Sequence, residues 1–215
     1  MKVTGIDTFL VGGNKWNFLF LRVNTDEGIS GIGEATLGGF GRAVVESIQE
    51  LEARHVNGRN PFNVEKIWQL MYRDESRRGG PIHLSAVSGI EMALWDIIGK
   101  KLEQPVYNLL GGKSHKQVKA YANGWYSSYA GDPETFAEEA REVVKRGYQS
   151  LKFDPFGSVA EDIDRIERKK ARDRVAAVRK AVGPEVDILI EGHGRFSVRS
   201  AVEIGQDLKE FDPGW

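Results

Sequence analysis

The stretch DILIEGHGRFS, residues 187–197, combines an apolar strand with a run of polar side chains directly after it. Side chains alternate between the two faces of a strand, so Glu191 and His193 are expected to share one face. Two glycines interrupt the apolar pattern around His193, which predicts that the strand ends there. A carboxylate and an imidazole together at a strand end are typical of a functional site, although the same residues also suit a solvated loop before a helix.

A second stretch of the same design, SLKFDPFG at residues 150–157, favours the functional interpretation. Here Leu151 and Phe153 are expected on one face of a strand, with Lys152 and Asp154 on the other. Because two neighbouring strands both end in pairs of polar residues, we predict that these side chains form one polar surface at the carboxyl edge of a parallel sheet. Active sites of parallel α/β folds lie at that edge.

Composition limits the classes of partner that the chain can have. Its 215 residues carry a net charge of −1 and no cysteine, with 40% hydrophobic residues. The balanced charge favours neither nucleic acid nor a membrane surface as a partner, and the absence of cysteine excludes disulfides and thiolate metal ligands. We expect no membrane-spanning run, no signal peptide at the start of the chain and a cytoplasmic location.

The order of predicted elements divides the chain at residue 112. An antiparallel meander is predicted at 2–9, 18–25 and 29–35, followed by helices at 42–54, 63–73 and 85–100. Beyond LEQPVYNLLGG at 102–112, strands at 118–123, 150–154 and 186–191 alternate with helices at 133–146, 159–182 and 197–210. Such alternation specifies parallel strands covered by helices, in a doubly wound sheet or a (β/α)8 barrel. We therefore predict domains at 1–112 and 113–215.

The loop between the first two predicted strands contains Trp16 among glycines and polar residues. The glycines permit movement, and the indole is large enough to cover an apolar part of a ligand. A plain hairpin loop explains the same residues equally well.

The segment SAVSGIEMALWDIIGKKLEQPVYNLLGG at 85–112, placed between the meander and the β/α units, resembles the enolase superfamily in its mandelate racemase and muconate lactonizing branch. Within that branch, LKFDPFG and EGHGRF are most similar to acid-sugar dehydratases of the galactonate and gluconate kind. The resemblance covers the whole chain. It implies an N-terminal α+β capping domain followed by the first three β/α units of a barrel, with Mg²⁺ held by carboxylates at three successive strand ends.

The resemblance also implies roles for individual residues. Glu191 matches the first Mg²⁺ ligand, where many relatives have aspartate, and His193 matches the general acid that protonates the departing hydroxyl. Lys152 occupies the first position of the Lys-x-Lys motif on the second strand and is expected to act near the substrate carboxylate. The second position of that motif is Asp154, which argues against a racemase with a lysine base there. With Arg195 and Trp16, Asp154 is expected to bind substrate.

The chemistry suits these residue types independently of the family. A proton beside a carboxylate is hard to remove, and a divalent cation stabilises the enediolate that forms. Mg²⁺ prefers oxygen ligands such as Glu191. Loss of a β-hydroxyl needs a proton donor with a pKa near neutrality, which suits His193, the one histidine at a predicted strand end. His55, His83 and His115 are expected at the surface.

The sequence thus predicts a Mg²⁺-dependent dehydratase that acts on a small sugar acid and forms homo-oligomers. A racemase, epimerase or cycloisomerase of the same superfamily is the alternative within the enzyme class. A complete barrel takes about 250 residues, more than residues 113–215 supply, so we expect the remaining metal ligands and the base to lie outside this sequence. The chain alone is then expected to be inactive, and a non-catalytic fragment that acts only in assembly is the alternative from another class.

Overall fold

Residues 1–14, 16–73, 79–129 and 131–215 are described by the computed structural model of the chain. They divide into two units, Met1–Lys116 and Gln117–Trp215. The division falls close to the change of sequence pattern at residue 112.

The first unit begins with the meander that the sequence predicts. Strands β1 (Val3–Val11), β2 (Phe18–Thr25) and β3 (Ser30–Glu34) form an antiparallel sheet in the order β1-β2-β3. Alternation along β2 buries Leu19, Leu21 and Val23 completely on one face of the sheet. That face forms one wall of the hydrophobic core of the first unit.

Helices supply the rest of the first unit, namely α1 (Gly41–Leu51), a π-helical turn (Glu52–Val56), α2 (Val64–Arg73), α3 (Pro81–Leu102) and α4 (Val106–Leu109). The π-helical turn places His55 in the interior at 8% exposure, so its expected surface position is wrong. By length and composition, α3 is also apolar enough to cross a membrane, contrary to expectation. It contacts β3 on one side and α1 and α2 on others, which accounts for apolar residues around the helix.

Two glycines allow β3 to approach α3 closely. A Cβ atom on Gly33 would lie 1.9 Å from the carbonyl oxygen of Gly89, and one on Gly31 would lie 1.9 Å from that of Ala93. Both obstacles are backbone atoms of a buried helix, so neither can move aside cheaply. Glycine is therefore required on this face of β3.

The substitution Gly33→Ala is expected to destabilise the first unit by about 1–3 kcal/mol or more, because the added methyl group overpacks the contact with α3. Gly12→Ala is a matched control, since a Cβ atom there meets nothing within 4 Å. Chemical denaturation of both variants would measure the difference. An unfolding midpoint for Gly33→Ala equal to that of Gly12→Ala would contradict this packing.

The second unit alternates helices and strands: α5 (Pro133–Lys145), β4 (Ser150–Phe153), α6 (Arg165–Val182), β5 (Asp187–Ile190), α7 (Val198–Leu208) and a 3-10 turn (Lys209–Phe211). Strands β4 and β5 are parallel, with Lys152 opposite Leu189. Aspartate or serine side chains cap the three α-helices of this unit at Asp132, Asp164 and Ser197. The cap at Asp164 sets the start of α6, which is later than the 159 predicted from sequence.

The predicted strand at 118–123 forms only in part. Ala122 makes a parallel bridge to Leu151, with hydrogen bonds from Ala122 N to Ser150 O (2.9 Å) and from Lys152 N to Ala122 O (2.8 Å). The residues around it are exposed, with Val118 at 87%, so side-chain burial does not hold them in a regular strand. Among the described residues, the second unit therefore has two β/α units with regular strands, and the expected count of three is not confirmed.

The core of the second unit lies between β4, β5 and their helices. Leu151 and Phe153 are fully buried in this core, together with Ile188 of β5. Lys152 and Asp154 leave the opposite face of the backbone, as the sequence predicts. On the far side of β5, Gly214 N donates to Ile188 O at 2.9 Å, and Ile190 N donates to Trp215 O at 2.8 Å.

Candidate active site

The polar side chains predicted at the ends of β4 and β5 do meet. Lys152 Nζ lies 2.8 Å from Glu191 Oε2, and the side chains are 14% and 23% exposed. The backbone N–H of Glu191 donates to Phe153 O at 2.9 Å, which continues the pairing of the two strands past β5. This pairing brings the ammonium group and the carboxylate together at the carboxyl edge of the sheet.

Glu191 is held as an ionised carboxylate. The hydrogen bond from Lys152 lowers its pKa below the ordinary 4.5, and the backbone N–H of His193 lowers it further. That N–H donates to Glu191 Oε1 at 2.7 Å. Each carboxylate oxygen therefore accepts one hydrogen bond and keeps a second lone pair, and the partly exposed group can bind a cation.

His193 lies in a sharp turn between two glycines. Its backbone adopts a left-handed conformation, with φ of 53°, which is uncommon for residues other than glycine. The turn points Nδ1 toward Asp154, with 3.1 Å between Nδ1 and Oδ2. The Asp154 side chain is 2% exposed and that of His193 is 51% exposed, so Nδ1 faces a buried carboxylate while the ring as a whole is half-exposed.

Beneath His193, Asp154 and Arg195 form a two-point ion pair. Arg195 Nη1 donates to Asp154 Oδ2 at 2.7 Å, and Nη2 donates to Oδ1 at 3.0 Å. This pairing raises the pKa of Arg195. The guanidinium also donates to Val159 O at 2.6 Å and to Gly157 O at 3.1 Å. Arg195 thus joins the loop after β4 to the loop after β5.

Substrate contact by Asp154 and Arg195 stays a prediction, and the geometry assigns these residues a different task. A buried carboxylate needs a charged partner, and Arg195 supplies it by giving its N–H groups to the protein. Sequence alternation placed Asp154 on the correct face but could not show that an arginine 41 residues away would cover it.

Trp16 lies in the first unit, where it is 44% exposed. It lines a cavity of about 440 Å³ together with Leu10, Leu37 and Phe40. This apolar lining is compatible with the prediction that Trp16 covers an apolar part of a ligand. Contact between Trp16 and a substrate stays a prediction.

Sequence reasoning missed two aromatic residues beside the cluster. Trp125 Nε1 donates to Lys152 O at 2.9 Å, and Tyr126 has a hydrogen bond from the Asp154 backbone and a pKa raised chiefly by burial. Both follow Asn123-Gly124, a turn signal after the bridge at Ala122. Their position at the end of a predicted strand in a β/α repeat was the sequence signal that could have identified them.

The resemblance implies a Mg²⁺ ion, and the cluster contains one side chain suited to hold it. Glu191 fits as one ligand, because it is ionised, partly exposed and supplies a hard oxygen. Within the described ranges, no group of three or more histidine, aspartate or glutamate side chains is placed to hold a metal. Glu191 is therefore the candidate ligand that this chain contributes.

The chain is a two-part α/β protein. Its first part is an antiparallel meander with helices, and its second part has β/α units whose strand ends present carboxylate, imidazole and ammonium groups. Residues 8–111 match the family described as mandelate racemase / muconate lactonizing enzyme, N-terminal domain, and residues 135–215 match enolase C-terminal domain-like. The chain belongs to the enolase superfamily, in its mandelate racemase and muconate lactonizing branch.

Curated relatives agree with this assignment. The chain is 42% identical over 196 residues to the D-gluconate/D-galactonate dehydratase of Picrophilus torridus, in a match covering 91% of the chain and 50% of that protein. It is 43% identical over 196 residues to the D-gluconate dehydratase of Thermoproteus tenax, covering 91% of the chain and 39% of that protein. The chain thus spans half or less of these relatives' length.

A solved structure shows the same fold. The mandelate racemase/muconate lactonizing enzyme from Jannaschia sp. CCS1 is similar with a TM-score of 0.89 and 31% identity. The match covers 100% of this chain and 60% of that one.

Proposed function

We propose that the protein removes water from a sugar acid of the gluconate or galactonate type and depends on Mg²⁺. The observation that carries the proposal is the convergence of Glu191, His193 and Lys152 at the carboxyl ends of β4 and β5. The names of the relatives support the reaction class. Bound Mg²⁺ would supply positive charge that stabilises the anion formed beside the substrate carboxylate.

The residues of this chain suit distinct parts of the reaction. Lys152 presents an ammonium group that can hold the substrate carboxylate. His193 presents Nε2, from which a proton passes to the β-hydroxyl as its carbon–oxygen bond breaks, and water leaves. Together with transfer of the α-carbon proton to a base outside residues 1–215, this step yields an enol, which takes up a proton at carbon 3 and becomes a 2-keto-3-deoxy acid.

The same geometry argues against the racemase alternative. A racemase with a base on the second strand needs a free basic side chain, whereas this chain has Asp154 in the second position of the motif. Asp154 is 1% exposed and paired with Arg195, so it cannot reach a substrate proton.

A panel of aldonic acids tests the proposal. The protein, prepared as its gene encodes it, is incubated with hexonic and pentonic acids and Mg²⁺, and 2-keto-3-deoxy products are measured with and without a chelator. We expect dehydration of gluconate or galactonate that stops when the metal is removed. Exchange of the α-proton with D₂O without loss of water would favour a racemase, and failure with every acid would favour a role in assembly alone.

We further propose that residues 1–215 alone bind Mg²⁺ weakly and do not turn over a sugar acid. An ion held through Glu191 alone stays mostly hydrated and cannot orient a substrate. Robust metal-dependent dehydration by a preparation whose mass matches these residues would contradict this.

A further inference from the structure

The carboxylate of Asp154 is a fully committed hydrogen-bond acceptor. Oδ1 accepts from Phe156 N at 3.0 Å and from Arg195 Nη2 at 3.0 Å. Oδ2 accepts from Arg195 Nη1 at 2.7 Å and lies 3.1 Å from His193 Nδ1. An ionised carboxylate has about four lone-pair sites. Three of these sites on Asp154 are filled by N–H donors of the protein, and the fourth faces His193 Nδ1.

The partners of Asp154 also fix its position. Arg195 offsets the cost of burying the carboxylate and is itself anchored on Val159 O and Gly157 O. The Phe156 N–H orients the other side of the group. Because buried networks whose members are all satisfied are rigid, Oδ2 is a fixed point in this unit.

The contact with Asp154 discriminates between the two neutral forms of His193. A carboxylate only accepts hydrogen bonds, so the 3.1 Å contact is favourable when the proton is on Nδ1 and repulsive when Nδ1 carries a lone pair. Arg195 Nη1 lies 3.2 Å from Nδ1, which would suit the opposite form. Nη1 has two hydrogens: one makes the bond to Asp154 Oδ2 at 2.7 Å, and the other is placed between Nδ1 and Gly192 O, which lies 3.5 Å away. The carboxylate makes the shorter of the two contacts with Nδ1, at 3.1 Å.

We propose that Asp154 is a positioning residue that keeps the proton of neutral His193 on Nδ1 and turns Nε2 toward the substrate. This inference rests on the proposed dehydration and deepens it, since it says why Nε2 is the nitrogen that exchanges a proton. The proton is given by the doubly protonated ring: its Nε2–H passes to the departing hydroxyl, and the neutral form with hydrogen on Nδ1, which Asp154 stabilises, remains. Asp154, in the second position of the Lys-x-Lys motif, thus orients the general acid His193, which follows the next strand.

Nitrogen NMR of the unaltered protein tests this directly. Long-range ¹H–¹⁵N spectra of ¹⁵N-histidine protein, recorded well above the usual histidine pKa of about 6.5, distinguish the nitrogen that carries hydrogen in each ring. His193→Gln identifies the signal of His193 by its loss. We expect hydrogen on Nδ1. Hydrogen on Nε2 in the unaltered protein would overturn the proposal without any need for activity.

The substitution Asp154→Asn supplies the kinetic test, with Asp173→Asn on the surface of α6 as the matched control. The new amide can donate to Nδ1 and so favours hydrogen on Nε2. We expect kcat to fall, with the roughly 10²- to 10⁴-fold contribution of a general acid as the upper limit of the effect. We expect KM to stay near that of the control. Amide spectra of α6 verify that the variant is folded.

Each outcome of the two tests has a separate meaning. An unchanged kcat, or hydrogen that stays on Nδ1 in folded Asp154→Asn, would overturn the role of Asp154. Hydrogen on Nδ1 in a protein that dehydrates no acid would support the positioning and remove the dehydratase assignment.

Discussion

In the protein as its gene encodes it, replacing His193 with asparagine is expected to lower the rate of sugar-acid dehydration by roughly 10²- to 10⁴-fold, the contribution of one general acid. The affinity of the His193→Asn variant for Mg²⁺ is expected to stay close to that of the unaltered protein. The imidazole is proposed to give a proton, and the hydrogen bond from His193 to the candidate ligand Glu191 comes from the backbone N–H. Asparagine keeps that N–H and has no group that can act as an acid near neutral pH.

Asparagine is also, after glycine, among the residues that the local backbone tolerates best. The φ of 53° at His193 is left-handed, and asparagine adopts this region more readily than most residues. His115→Asn is the matched control, because His115 is exposed and lies in the first unit. Steady-state rates and calorimetric Mg²⁺ titrations of both variants give the comparison. If metal affinity and turnover fell together in His193→Asn alone, His193 would be a ligand.

The substitution Glu191→Gln is expected to have the opposite signature, with Mg²⁺ affinity and dehydration lost together. Glutamine keeps the size of the side chain and an oxygen that can accept from the His193 N–H, but it loses the negative charge that a hard cation needs. Metal stabilisation of the developing charge is worth several kcal/mol. At 1.36 kcal/mol per factor of ten, the rate should fall by roughly 10²-fold or more.

Glu185→Gln is the control for this change. Glu185 is exposed and precedes β5, whereas Glu191 follows the same strand, so only one of the two carboxylates lies at the carboxyl edge. Turnover measured at Mg²⁺ concentrations up to saturation, together with direct Mg²⁺ titrations, would separate a loss of metal affinity from a loss of catalytic rate. Normal metal affinity in Glu191→Gln would remove Glu191 from the ligand set.

Several features of the site were predictable because they depend on short stretches of chain. The period of two along 150–154 and 187–193 placed Lys152, Asp154, Glu191 and His193 at the ends of parallel strands. The structure confirms that these side chains meet. The meander and the long helix α3 follow from local patterns in the same way.

Other features depend on partners that are distant in sequence. The ion pair of Asp154 with Arg195 joins two loops, and alternation within one strand carries no information about it. The aromatic residues Trp125 and Tyr126 follow the bridge between Ala122 and Leu151 and contact the backbone of β4 and of Asp154. The predicted strand around Ala122 failed for a related reason, since its neighbours have little buried surface to hold them.

The sequence by itself determined the class of fold, the edge of the sheet that carries the site and the residue types present there, because strand periodicity and turn residues act over a few positions. Only the tertiary structure decided which side chains remain available. Burial obliges Asp154 and Arg195 to satisfy each other, whereas His193 and Glu191 lie at the partly exposed rim. The physical reason is that the cost of burying a charge depends on its surroundings in three dimensions, which no local pattern specifies.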